Sequence, residues 1–168
     1  IDKFNLMLCG ALRKNHFNGV ATIITKFLVN ICPDYIYLGK KDFQQILVIS
    51  KLIKDFGFRT IVKSFNTVRQ KNGLALSSRN SLLSEKNKLV APMIYDVLVK
   101  IRKEINQGKF EVTRLDYFKM LLKKKSFKVN YLEILKEYDL TDLDNVANKA
   151  RVFISVNLKN LNLIDNLH

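Results

Sequence analysis

The apolar residues of the first third of the chain change period at each punctuating residue, and that rhythm limits the fold more than any other feature. From Ala21 to Ile31, Ile24, Phe27, Leu28 and Ile31 recur at helical spacing, and Pro33 ends the pattern. Tyr35-Ile36-Tyr37-Leu38 is a short apolar run ending at Gly39, which predicts a buried parallel strand. A second helical stretch follows, with Phe43, Ile46, Leu47, Ile49, Leu52, Ile53 and Phe56 apolar and Gly57 at its end. Thr60 to Phe65 reads as the next strand. Helix, strand, helix, strand is the order of a doubly wound sheet. It places Gly39 to Asp42 at the carboxyl end of a strand and just ahead of a helix amino terminus, where backbone N–H groups and the helix dipole face an anion.

After Phe65 the character changes. Ser84 is a candidate N-cap with Glu85 in the first turn. It leads into Leu89, Val90, Met93, Ile94, Val97, Leu98, Ile101 and Ile105, an amphipathic pattern closed by Gly108. Pro92 lies inside that pattern and predicts a kink or an early break. Thr113 is read as the cap of a further helix through Leu122, and Val129–Ile134 and Arg151–Asn157 as strands. The expectation is a small α+β domain over 67–168, joined near Asn66 to the α/β part over 1–66.

A chain of 168 residues buries roughly 70% of its unfolded surface, enough for one sizeable domain or two small ones. With 48% hydrophobic and 26% charged residues, disorder is not the default. The balance of 29 basic to 15 acidic residues gives +14, which raises the question of a nucleic-acid or membrane partner. The excess is mostly lysine scattered from Lys3 to Lys159, and only Lys123-Lys124-Lys125 is dense, which reads as a solvated helix end. With no recognised nucleic-acid motif, neither partner is expected. Cys9 and Cys32 lack metal-ligand spacing and are expected to be buried, reduced thiols of a cytoplasmic protein. The longest apolar stretch, Ala21 to Cys32, is interrupted by Lys26 and Asn30 and cannot span a bilayer. The chain opens at Ile1, so a preceding segment is expected.

Two segments concentrate chemistry: Gly39-Lys40-Lys41-Asp42-Phe43-Gln44-Gln45 and Gly73-Leu74-Ala75-Leu76-Ser77-Ser78-Arg79-Asn80. Each sets phosphate-seeking groups (Lys41, Ser77, Ser78, Arg79) beside a glycine. The first adds a carboxylate, Asp42, that could hold Mg²⁺, and an amide, Gln45, that could hold a small acid. Together they read as an ATP site. The order and spacing of Arg13 to Thr22, Pro33-Asp34, Gly39 to Gln45, Thr67-Val68-Arg69, Gly73 to Asn80 and Leu163 to Asn166 resemble the pantothenate synthetase family, from about Leu8 to Asn166.

That resemblance implies ATP-dependent joining of pantoate to β-alanine through a pantoyl-adenylate, releasing AMP and pyrophosphate, by a homodimer assembled through its nucleotide-binding domain. It implies the carboxyl-terminal part of a Rossmann-like domain followed by the small α+β domain. Lys41, Ser77, Ser78 and Arg79 correspond to catalytic phosphate contacts, the last three as a mobile clamp that Gly73 lets swing while Ala75 and Leu76 anchor it. Gly39, Lys40, Asp42, Val68 and Leu76 complete the ATP contacts, with Asp42 also serving Mg²⁺ and Val68 meeting adenine through its backbone. Gln45 matches the residue that holds pantoate, and His16 falls near that pocket, with a supporting structural role as its other reading. Lys40, Asn66 and Asn72 depart from the family's usual acidic residue, proline and aspartate. The family's amino-terminal His-containing motif has no counterpart among these residues. A related nucleotidyltransferase, a basic nucleic-acid-binding module and a non-catalytic remnant stand as alternatives.

Overall fold

The computed structural model describes residues 2–142 and 150–168. The chain forms two compact units, Ile1–Asn66 and Thr67–His168.

In the first unit, α1 (Asp2–Asn5) and α2 (Leu8–Leu12) precede α3 (His16–Ile31), β1 (Tyr35–Gly39), a 3₁₀ turn (Lys40–Asp42), α4 (Phe43–Phe56) and β2 (Ile61–Phe65). Helix α3 starts a full turn before the apolar period at Ala21, because Phe17 already enters the core and Asn15, at φ 60°, turns the chain into the helix. Asn tolerates that left-handed conformation better than most residues. Gly57 takes the same conformation at the end of α4 (φ 66°), and the Phe58 N–H closes back on the Ile53 carbonyl at 3.0 Å.

Strands β1 and β2 run parallel, with Tyr35 opposite Ile61 and Gly39 opposite Phe65. Ile36, Leu38 and Val62 pack on Ala21 and Leu28 of α3 and on Ile49, Leu52 and Ile53 of α4. Strand period is two, so Tyr35, Tyr37, Ile61 and Phe65 face the other way, and there the expectation of a fully buried strand is corrected: all four are exposed. The three rings line that face in tilted contact, Tyr37 lying 6.2 Å from Tyr35 and 5.8 Å from Phe65. Cys32 is also corrected to exposed, since it sits at the αL cap of α3, while Cys9 is buried.

The second unit contains a 3₁₀ helix (Ser78–Leu82), α5 (Glu85–Val90), α6 (Met93–Asn106), α7 (Arg114–Lys124), β3 (Phe127–Lys136), β4 (Ala150–Leu158) and β5 (Leu161–Leu167). The strands form one antiparallel sheet in the order β3-β4-β5. Its inner face, with Leu132, Val152, Ile154, Val156 and Leu163, packs on Ile94, Val97, Leu98 and Ile101 of α6 and Phe118 and Leu122 of α7. Pro92 does break the long amphipathic pattern, dividing α5 from α6, and the change of phase leaves Leu89 exposed rather than in the core. Strand β5 has no clear sequence signature, because Asn162, Asp165 and Asn166 interrupt its apolar residues. Two of these are satisfied inside the sheet: the Asn162 amide donates to Ser155 Oγ at 3.0 Å and to Asn157 Oδ1 at 2.8 Å, and Asn166 Oδ1 accepts from Arg151 at 2.6 Å. The whole is a parallel α/β unit followed by a small α+β unit.

Candidate functional site

In the first unit, the chain leaves β1 at Gly39, makes the 3₁₀ turn and enters α4, so Lys40, Lys41 and Asp42 stand at a strand's carboxyl end and a helix's start. Gly39 has ordinary extended dihedrals (φ −83°, ψ 133°), and a Cβ there would meet nothing within 4 Å. Neither backbone strain nor packing demands glycine; open space above it suits close approach of a ligand. Lys41 is half-buried. Asp42 is exposed at the N-cap position, yet its carboxylate accepts no capping bond. Lys40 donates to Asn66 Oδ1 at 3.0 Å, so two of the departures from the family pattern touch each other.

Gln44 and Gln45 differ sharply. Gln45 is half-buried, whereas Gln44 is 5% exposed. Gln44 Oε1 accepts from the Cys9 N–H at 3.0 Å, and its Nε2 donates to the Phe4 and Met7 carbonyls, both at 2.9 Å. It thereby ties α1 and α2 to the first turn of α4. The signal was present in the helix phase, since Gln44 shares a line with buried Val48 and Leu52. His16 is half-buried, its ring 4.9 Å from Phe17.

In the second unit, residues 68–76 fold into a tight hairpin. The Leu76 N–H donates to the Val68 carbonyl and the Gln70 N–H to the Leu74 carbonyl, both at 2.9 Å, and Arg69 bridges Ala75. Gly73 closes the turn at φ 88°, and a Cβ there would lie 2.2 Å from Tyr95 Cδ1. Glycine is thus required here both by the left-handed turn and by the aromatic ring beside it. Ala75 is buried, as an anchor should be, while Leu76 is exposed. Ser77 caps the 3₁₀ helix, its Oγ accepting from the Arg79 N–H at 3.3 Å. Ser78 and Arg79 are exposed beside it. Asn80 is buried and its amide donates to the Ala75 carbonyl at 3.0 Å, leaving Oδ1 without a partner among the described residues. In the sequence Arg69 and Asp165 stand only as members of longer motifs, with no role of their own, and nothing there marks Tyr95. Arg69 stacks on Tyr95 at 4.1 Å and pairs with Asp165.

Among the described residues, no group of three His, Cys, Asp or Glu side chains could cage a metal ion. A lone exposed carboxylate, Asp42, suits Mg²⁺ arriving with phosphates, because that ion commonly takes one or two carboxylates and fills the rest of its shell with phosphate oxygens and water.

A Rossmann-like α/β unit with basic residues at a strand-to-helix turn, followed by an α+β unit with a serine–arginine loop, defines the class. The family model for pantoate-beta-alanine ligase matches residues 1–168, and the chain belongs to that family. The pantothenate synthetase of Buchnera aphidicola subsp. Acyrthosiphon pisum (strain Tuc7) is 39% identical over 171 residues, 99% of this chain and 59% of that protein. That of Bacillus pumilus (strain SAFR-032) is 38% identical over 162 residues, covering 96% and 56%. The crystal structure of pantothenate synthetase from Thermus thermophilus superposes with a TM-score of 0.92 at 34% identity, over 98% of this chain and 60% of that one. The structure of pantoate-beta-alanine ligase from Francisella tularensis, complexed with beta-gamma ATP and beta-alanine, gives 0.77 at 30% identity, over 99% and 55%. The chain thus spans less than two thirds of the relatives it matches.

Proposed function

We propose that this chain serves the ATP-dependent joining of pantoate to β-alanine, by way of a pantoyl-adenylate. The observation that carries this reading is the pair Lys41-Asp42 at the exit of β1 and the start of α4, in a chain that the ligase family matches over its full length. A carboxylate is a poor acceptor for an amine, so it is activated first. A pantoate oxygen attacks the α-phosphorus of ATP, the bond to the bridging oxygen breaks, and pyrophosphate leaves with the electron pair. The neutral amine of β-alanine then attacks the acyl carbon; the bond to AMP breaks and the amine proton passes to solvent.

The protein's part in such a displacement is positioning and charge. Lys41 offsets the negative charge developing on the phosphates. Ser77 and Ser78 donate hydrogen bonds to phosphate oxygens, and the Arg79 fork binds them bidentately. Lys40 adds charge beside Lys41, and Gly39, Leu76 and the backbone of Val68 contact the nucleoside. Gln45 holds pantoate, with His16 near it. Asp42 would hold Mg²⁺, which supplies charge neutralisation on the phosphates. The first unit is then the carboxyl-terminal part of the nucleotide- and pantoate-binding domain and the second carries the phosphate-binding loop, within a cytoplasmic homodimer. The ATP and β-alanine bound in the Francisella relative support both substrates.

The test is pyrophosphate release from Mg-ATP by the full-length protein, with and without pantoate and β-alanine. Release that requires pantoate and turns over only with β-alanine supports the ligase; a folded protein that releases none is a non-catalytic remnant or acts on another acid.

A further inference from the structure

We infer that Arg69 is a positioning residue that sets the placement of Ser77, Ser78 and Arg79 through a partly buried ion pair with Asp165. The inference rests on the ligase reading and extends it to residues that touch no substrate. Arg69 and Asp165 are 96 positions apart, with side chains 15% and 3% exposed. Nη1 donates to Asp165 Oδ2 at 2.5 Å and Nη2 to Oδ1 at 3.0 Å, the parallel two-bond geometry that only a guanidinium provides. Asp165 Oδ1 also accepts the Asn166 N–H at 2.8 Å, so the carboxylate is well satisfied.

The same guanidinium holds the hairpin. Its Nη1 donates to the Gly73 carbonyl at 3.1 Å, and its plane lies 4.1 Å from the centre of the Tyr95 ring. That ring occupies the space where a Gly73 side chain would be. Arg69 therefore joins three elements within the second unit: β5 through Asp165, α6 through Tyr95 and the hairpin tip through Gly73. A hairpin this short has little stability of its own, so its position follows from these ties. The Leu76–Val68 bond is its last rung, and Ser77 is the next residue. Beyond Ser77, Asn80 returns to the Ala75 carbonyl. The phosphate-seeking residues are thus fastened on both sides to a hairpin whose location one arginine decides. A displacement of 1 Å at such a site lowers a reaction rate on the order of 100-fold.

The test uses the full-length protein with Arg69→Lys, which keeps the charge and removes the fork, and Asp165→Asn, which keeps the shape and removes the charge. Tyr95→Phe, which keeps the ring, is the control. Hydrogen exchange read without substrates should speed at the amides of Ser77–Asn80 in both variants, while the α6 and β4 amides keep their protection. Pantoate-dependent pyrophosphate release should fall about 100-fold in kcat with the KM for pantoate unchanged. The control should match the parent in both. Unaltered exchange at Ser77–Asn80 in a folded variant overturns the inference, as does a rate loss that merely follows the unfolded fraction. Should Arg69→Lys fail to fold, Asp165→Asn decides. The exchange result stands even if the parent protein releases no pyrophosphate, an outcome that counts against the ligase reading alone.

Discussion

Gln44 and Gln45 are the same residue type side by side, and their surroundings differ, Gln44 being buried and Gln45 half-buried. Gln44 has three hydrogen bonds into the segment from Phe4 to Cys9. Gln44→Leu matches its volume but strands one N–H and two carbonyls, so thermal or urea unfolding should show a loss of roughly 2–4 kcal/mol. Ser78 and Arg79 behave the other way, being exposed on a 3₁₀ turn with little packing to lose. Ser78→Ala and Arg79→Ala should slow adenylate formation by about 100-fold or more while shifting the unfolding midpoint little. Equal loss of fold and rate would count against their assignment. Lys41, Asp42 and Gln45 stand out in the sequence as candidates because residue type and spacing are local, and the structure sets Lys41 and Asp42 at the exit of β1. Arg69 stands in the sequence only as part of a pattern, since nothing local says that its partner is 96 residues away.

Caps and turns separate the elements that local sequence specifies from those it only suggests. Ser84 and Thr113 both read as N-caps, but only the Ser84 hydroxyl accepts a capping bond, from the Asn87 N–H at 3.3 Å. Ser84→Ala should therefore cost about 1 kcal/mol, while Thr113→Ala stays within about 0.5 kcal/mol, measured by denaturant titration. Glu133 on β3 carries a pH signature. Burial pushes its carboxyl above the usual range, opposed by Lys119 and reinforced by Asp142. The folded state therefore holds this proton more tightly than the unfolded chain, and its contribution to stability falls as pH rises out of the ordinary carboxylate range. Glu133→Gln should exceed the parent in stability at neutral pH, with the difference closing below about pH 4; a difference that grows on acidification would reverse the sign. The helix–strand alternation of residues 21–65 was legible because apolar period and terminating Pro33 and Gly57 agree. Strand β5 was not, because its polar residues are matched by distant partners, Asn162 and Asn166 by β4 and Asp165 by Arg69.

At the scale of the molecule, the two units differ in how completely each buries its own apolar surface. The second unit closes a core between α6, α7 and one face of its sheet. A fragment spanning 67–168 should fold alone, with a cooperative thermal transition; a broad, non-cooperative loss of structure would refute this. The first unit has a two-stranded sheet with Tyr35, Tyr37, Ile61 and Phe65 on an exposed face, and by itself should bind hydrophobic dyes and self-associate. Among the described residues, no helix is long and apolar enough to cross a membrane. Local chemistry by itself determined where α3, β1, α4 and β2 run, and it placed Lys41 and Asp42 at the turn between a strand and a helix, because periodicity and terminators act over a few residues. Tertiary structure alone decided that Gln44 is a strut, that Gly73 lies pinned under Tyr95, and that Arg69 and Asp165 meet. Each of these depends on burial and pairing between distant segments, which have no energy until the chain has folded.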